Sequence, residues 1–350
     1  AQNPGSVART GGLLIGDKTV SITQSAGPSG NPLSYSATLY AGAADAISRG
    51  DGGPATSARL QLSYGLAVPG STLYLADADT DNRIRAVTSD GVINTVAGGG
   101  NVDGEGIVPT TAFLSNSFAV TFDSARGILY FGDGYRVRRV SGASNVLTTV
   151  AGAYNPGTPA DDQAALSPQF FMITGLAVDS AGSLYVADSG NSRVRKVTGG
   201  TITTVAGGGS SFADGGSPTA TSVKPGGIAL DSAGALYIWD CQNLRIRKVV
   251  NGVITSIAGG GSGTGDGVPA TSVSLACSAI AAITVDPAGA VYFSDGSRVR
   301  KVGADGLIHT IGPFIVSPGQ RLTVPLARAG TYIGTCSLHR SRKVEIVVRA

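Results

Sequence analysis

Leu184-Tyr185-Val186-Ala187-Asp188-Ser189-Gly190-Asn191-Ser192-Arg193-Val194-Arg195-Lys196-Val197 reads as two strands and the turn between them. Leu184–Asp188 is short and apolar, and Ser189-Gly190-Asn191 is turn chemistry. Arg193–Val197 alternates polar with apolar, as a half-buried strand does. Upstream, Gly175–Asp179 is another short apolar strand, closed by Ser180-Ala181-Gly182. Downstream, Gly199-Gly200 turns the chain into Thr201–Ala206. Four strands at this spacing, punctuated by glycine turns, predict one antiparallel four-stranded sheet.

The same pattern recurs around Tyr74, Tyr130, Tyr185, Tyr237, Tyr292 and Tyr332. The first five tyrosines are separated by roughly 52–56 residues, the period of a repeat architecture. Stacking such sheets radially buries both faces of each and leaves only short edges, which is the β-propeller solution. With 52 glycines, 16 prolines and 42% hydrophobic residues in 350, the composition suits many short strands and tight turns.

Residues 184–197 resemble the NHL repeat, and the resemblance returns at 73–87, 129–140, 236–249 and 291–302. Linkers match too, at Gly50-Asp51-Gly52-Gly53-Pro54 and Gly265-Asp266-Gly267-Val268-Pro269, and more loosely at Asp103-Gly104 and Asp214-Gly215. The expected fold class is an all-β, six-bladed propeller. Five copies are complete. Tyr332–Val344 aligns without gaps on Tyr237–Val249, so residues 314–350, completed by 34–43, are expected to make the last blade and close the ring. Residues 1–33 then fall outside it. Gly12–Gln24 reads as a hairpin with a Gly16-Asp17 turn and resembles the last hairpin of a BACON-type immunoglobulin-like module. Such an arm either lies against its own propeller or pairs with another chain.

Charged residues are only 14% of the chain and the formal charge is +3, with no basic run interleaved with aromatics, so nucleic acid is not an expected partner. No apolar stretch is long enough to span a membrane. Ala1-Gln2-Asn3-Pro4 fits a terminus left by signal cleavage as well as an arbitrary start. Cys241 and Cys277 fall in loop sets that share one face of neighbouring blades, which suggests a disulfide and an extracellular or periplasmic location. Cys336 has no partner at the matching place and is expected as a free thiol.

A recurrent Asp–Arg pairing is expected to brace each second turn: Asp77 with Arg83, Asp133 with Arg136, Asp188 with Arg193, Asp240 with Arg245, and Asp295 with Arg298. Recurrence in every copy marks a structural role, because a single active site would break the symmetry. The linker aspartates Asp51, Asp103, Asp214 and Asp266 read as Asp-Gly turns. Calcium is the weaker reading of the acids, with Asp161-Asp162 and Asp77, Asp79 and Asp81 its best candidates. Cys336 and His339 have the spacing of a copper pair. They fit the repeat without metal, and a blue-copper site needs a second histidine.

Some NHL-like propellers are lyases with histidine clusters, and the resemblance extends to a peptide-amidating lyase that holds zinc. This chain has two histidines, His309 and His339, too few for such a centre. No nucleophile elbow is present. The expected function is therefore a secreted or cell-envelope scaffold that binds protein or glycan. A self-associating structural subunit that donates its arm to a neighbour is the alternative, and a lyase or hydrolase a second one. Binding residues are sought where loops leave the consensus, at Ala78–Asn82, Ala153–Gln163 and Ser210–Ala213. Tyr154, Phe212, Phe170 and Trp239 are the candidate anchors, with inter-blade packing the competing role for Trp239, Phe171 and Met172.

Overall fold

The structure, a computed structural model, describes residues 9–15, 18–24, 35–43, 49–60, 63–78, 82–155, 160–167, 170–278, 280–296, 298–313 and 346–348. It is an all-β propeller. Blade one runs through Ser63–Ala67, Leu73–Asp77, Arg83–Val87 and Val92–Gly98. Blade two comprises Val120–Asp123, Ile128–Asp133, Arg136–Ser141 and Leu147–Gly152. Blade three comprises Ile173–Val178, Leu184–Asp188, Arg193–Thr198 and Thr201–Gly207. Blade four is Pro225–Leu230, Leu236–Asp240, Arg245–Val250 and Val253–Gly259, and blade five Ile283–Val285, Val291–Asp295, Arg298–Val302 and Leu307–Pro313. Each is a consecutive antiparallel meander.

The first strands of successive blades touch one another, so they form the inner layer. Close approach there demands small residues: a Cβ on Gly65 would come within 2.8 Å of the Phe118 carbonyl oxygen in the next blade. The apolar residues of each strand pack between sheets rather than within one. Ala76, Ile84 and Ala97 of blade one meet Leu129, Phe131 and Val140 of blade two in one cluster. Ala187, Val194 and Ala206 of blade three likewise meet Leu236, Ile238 and Ile254 of blade four. Alternation along the blade strands therefore feeds two inter-blade cores.

Among the described residues the propeller has five blades, not the six expected. A further sheet joins the two ends of the chain in the order Arg9–Ile15, Lys18–Gln24, Tyr35–Ala41, Ile346–Val348. Residues 35–41 do stand beside blade one as a fourth strand should, with Ala41 in the core formed by Ala55, Ala58, Leu60 and Leu73. They pair with the hairpin strand Lys18–Gln24 on one edge and with Ile346–Val348, from the expected closing segment, on the other; the repeat copy at 332–344 lies outside the described residues. Thr19 pairs with Ala41 and Val20 with Leu39, skipping Tyr40. Blade three has the same irregularity, where Val194 pairs with Ala206 and Arg195 with Thr204. By this register Val20 stands where Arg195 stands, and Ile15, opposite Lys18, where Asp188 stands opposite Arg193. An apolar pair in place of the acid and the arginine makes this sheet something other than a repeat copy. The hairpin strand Lys18–Gln24 pairs with Tyr35–Ala41 of the same chain.

Among the described residues, no helix is long and apolar enough to cross a membrane.

Candidate functional site

One polar cluster recurs from blade to blade. The aspartate ending strand two is buried and its carboxylate accepts the backbone N–H of the residue that leads into strand one of the same blade. Asp133 takes Ser115 N at 2.7 Å, Asp188 takes Phe171 N at 2.9 Å, Asp240 takes Lys224 N at 3.1 Å and Asp295 takes Ala276 N at 2.6 Å. In blades one, two, four and five the second arginine of strand three lies beside that aspartate. Arg85, Arg138, Arg195 and Arg247 are fully shielded and Arg300 is 1% exposed. Arg138 lies 3.4 Å from Asp133, Arg247 3.4 Å from Asp240, Arg300 3.5 Å from Asp295 and Arg85 3.6 Å from Asp77.

Each of these arginines also reaches an acid in the linker that enters its blade. Arg85 meets Asp51 at 2.7 Å, Arg300 meets Asp266 at 2.8 Å and Arg195 meets Asp161 at 3.1 Å. Arg247 pairs with Asp214. The linker acid in turn accepts a hydroxyl from strand four: Thr95, Thr204, Ser256 and Thr310 at 2.8–3.0 Å. In blades one, four and five an acid–arginine–acid chain thus ties linker, strand two, strand three and strand four together, while in blade three Arg195 reaches the linker acid without a described ion pair to Asp188. Asp161, weighed above as a calcium ligand, is that linker acid.

The expected pairs with Arg83, Arg193, Arg245 and Arg298 need correcting. Only Arg136 of the first arginines has a described ion pair with the strand-two aspartate, with Nε 2.9 Å from Asp133. Arg83 donates to Thr95 Oγ1 at 3.1 Å, Arg245 to Ser256 Oγ at 3.2 Å, and Arg298 is exposed. The reason is the Gly-Gly that ends strand four. A Cβ on Gly208 or Gly260 would meet the Arg193 or Arg245 guanidinium carbon at 2.9 Å, so these glycines leave a shelf where the first arginine lies flat. The second arginine is one rung deeper and enclosed.

Burial has a consequence in blade three. Desolvation pushes the Asp188 carboxyl up to about 6, outweighing the stabilising Phe171 N–H, Asn191 and Arg195. An unfolded aspartate titrates near about 4. Between these values the folded chain holds a proton that the unfolded chain has lost. The contribution is therefore fully present below about pH 4 and lost as pH rises through about 6, by at most about 3 kcal/mol. Urea melts of the wild type and Asp188→Asn at pH 4.5 and 7.5 should show the wild type losing ground to the variant at the higher pH. A difference that does not change with pH would refute this assignment.

Blade two departs from the pattern. Gly106 N donates to Leu147 O as Gly52 N does to Ile93 O, so Glu105, not Asp103, occupies the place of Asp51. Glu105 accordingly accepts both Thr149 N at 2.6 Å and Thr149 Oγ1 at 2.5 Å, and lies 3.6 Å from Arg138. Asp103 is an extra acid. It pairs with Arg136 at 2.8 Å, and that hydrogen bond holds its carboxyl below the ordinary range. Arg136, held from both sides by Asp103 and Asp133, lies over the Tyr154 ring at 5.5 Å from its centroid. A pocket of 270 Å³, lined by Glu105, Arg136, Thr149, Ala153, Tyr154 and Leu166, opens here. Tyr135 and Phe171, in loops of blades two and three, stack beside each other at 5.8 Å.

Of the four candidate anchors, Tyr154 is 62% and Phe212 56% exposed, whereas Phe170 and Trp239 are fully buried. Phe170 packs with Val137 and Ala151, and Trp239 with Ile246 and Phe293, so both are inter-blade core and not contact surface. Glu105, Asp103, Arg136 and Leu166 were missed as a site. The signal was the second acid–glycine dipeptide, Glu105-Gly106, two residues after Asp103-Gly104.

Among the described residues no group of three or more His, Cys, Asp or Glu could hold a metal ion. His309 is exposed on strand four of blade five. Asp79, Asp81, Cys336 and His339 lie outside the described residues. Cys241 and Cys277 are joined by a disulfide, with Cα atoms 5.3 Å apart and a sequence separation of 36. Closing a loop of that length is worth about 2–4 kcal/mol. Thermal melts should accordingly show that Cys277→Ser and reduction of the wild type lower stability by the same amount; additive losses would contradict the pairing.

The NHL repeat family model matches residues 172–197. No curated protein sequence matches the chain. Among solved structures, the chain is similar to an auxiliary nutrient binding protein from Bacteroides thetaiotaomicron VPI-5482, with a TM-score of 0.52 and 14% identity over 86% of this chain and 69% of that one. A second auxiliary nutrient binding protein, from Bacteroides ovatus ATCC 8483, gives a TM-score of 0.52 and 12% identity over 88% and 73%. Virginiamycin B lyase from Staphylococcus aureus gives 0.45 and 16% over 71% and 69%. At these identities the likeness concerns the fold alone. The chain therefore carries an NHL repeat, at 172–197, within a β-propeller.

Proposed function

We propose that this chain is a non-catalytic binding scaffold of the cell exterior, secreted or held in the envelope, that takes a protein or glycan ligand at the rim between blades two and three. The observation that carries the reading is the break in symmetry at Tyr154. The buried arginine with its linker acid recurs from blade to blade, as a structural feature of a repeat does. Asp103, clamped to Arg136 beneath an aromatic ring that is 62% exposed, has no counterpart in the linker pattern of the other blades. An exposed aromatic held rigid by a cation is the kind of side chain that anchors a ligand at low entropic cost. Two solved propellers of similar shape are named as auxiliary nutrient binding proteins, which fits a binding role. The disulfide between Cys241 and Cys277 fits an oxidising compartment.

Saturation-transfer NMR with a mixed set of monosaccharides and dipeptides tests the site. Signals seen with the wild type should weaken about tenfold in Tyr154→Ala, the loss of roughly one aromatic contact. Equal transfer to both proteins would remove Tyr154 from the binding surface.

A further inference from the structure

We infer that the Tyr154 pocket takes a neutral sugar ring, a unit of an uncharged polysaccharide; this rests on the reading of the Tyr154 rim as the binding site. Three features converge on that class. The first is charge. Around the pocket, Asp103, Glu105 and Asp133 carry three carboxylates against the two guanidinium groups of Arg136 and Arg138, which leaves an excess of one negative charge. Each arginine is already committed to acids, so a phosphate, sulfate or uronate would meet repulsion and no free cation.

The second is the sense of the hydrogen bonds on offer. Glu105 is 56% exposed and Asp103 48% exposed, and both are acceptors only. Each Glu105 oxygen accepts one bond from Thr149, which leaves one lone pair on each for a ligand. The pocket therefore asks for a molecule rich in O–H donors. Rigid acceptors of this kind add orientation, because Thr149 fixes the carboxylate in place through both its backbone and its hydroxyl.

The third is shape. Arg136 covers one face of the Tyr154 ring, and the ring's exposure leaves the remainder to a ligand. Leu166, 59% exposed, adds an apolar wall. A volume of 270 Å³ corresponds to on the order of nine water molecules, enough for one six-membered sugar ring and small for a peptide with its side chains. A pyranose has the required combination: an apolar C–H face for the aromatic and a rim of hydroxyl donors for the carboxylates.

Affinity gel electrophoresis of the whole chain through neutral polysaccharides (dextran, galactomannan, xylan) and through anionic polygalacturonate tests this. At least one neutral gel should retard the wild type, with the retardation reduced tenfold or more in Tyr154→Ala and unchanged in Val253→Ala, an exposed apolar residue of blade four outside the pocket. Polygalacturonate should not retard it. Retardation by polygalacturonate in preference, or by none of the neutral gels, overturns the sugar assignment. A Tyr154-dependent dipeptide signal without any neutral retardation also overturns it while leaving the binding site standing. Retardation equal in wild type and Tyr154→Ala overturns the site itself. Matching melting curves for the two variants and the wild type keep misfolding out of the comparison.

Discussion

Arg247→Ala should unfold about 3–5 kcal/mol more easily than the wild type, the largest loss expected of any single polar substitution in blade four. Arg247 is fully buried. Its guanidinium lies 3.4 Å from Asp240, pairs with Asp214, and donates to Ser256 Oγ at 3.1 Å and to the Phe212 carbonyl at 3.2 Å. Truncation leaves Asp240 charged and shielded from water, with only the Lys224 N–H and Asn243 to stabilise it. The cost comes mostly from that orphaned carboxylate, not from the ion pair as such. Removing both charges therefore tests the mechanism. Arg247→Met combined with Asp240→Asn should lose clearly less than Arg247→Ala alone, as measured by denaturant melts at neutral pH. If the double variant loses as much as the sum of the two single ones, the arginine is acting as packing and the acid is not its counterion.

The repeat was legible in sequence because strands and turns write themselves locally. Leu184–Asp188 and Arg193–Thr198 fall where alternation and the Ser189-Gly190-Asn191 turn put them. Which of two arginines braces the aspartate was not legible, because residues two apart in a strand share a face. Register alone puts Arg193 opposite Asp188, and only the Gly-Gly shelf of the adjoining strand decides that Arg195 goes inward. That shelf is a contact between distant residues.

The sixth copy illustrates a different limit. Tyr332–Val344 carries the repeat's letters, yet among the described residues the strands beside Tyr35–Ala41 are Lys18–Gln24 and Ile346–Val348. A motif match measures similarity to other copies and says nothing about competitors for the same edge. Thr335 already lacked the acid, and no Gly-Asp-Gly linker precedes this copy, so an arginine buried there would have had no carboxylate on either side. Val20 fills the same register position without that penalty. Loop divergence points to Tyr154 as a candidate, but not to its setting. Asp103 and Glu105 look interchangeable in sequence, and only the hydrogen bond from Gly106 to Leu147 shows which of them belongs to the scaffold.

Trp239→Ala should be as damaging as Arg247→Ala, at about 3–5 kcal/mol, and should leave ligand binding at the Tyr154 rim untouched. Trp239 stands among the candidate anchors by residue type, since tryptophan is common in binding sites. Its environment argues otherwise. It is fully buried, meets Phe293 edge-on at 6.1 Å between centroids, and donates from Nε1 to the Ser294 carbonyl at 2.7 Å. That hydrogen bond runs from strand two of blade four to strand two of blade five, so one side chain supplies both the apolar fill and the polar tie between two sheets. Trp239→Phe separates the contributions. It retains most of the aromatic volume but leaves the Ser294 carbonyl without its donor, and should lose about 1–3 kcal/mol. Graded melts, with alanine worst and phenylalanine intermediate, together with unchanged saturation transfer in the folded fraction, identify a core residue. Lost binding with an undisturbed melting curve would instead place Trp239 at a ligand, and would require the interface between blades four and five to open in solution.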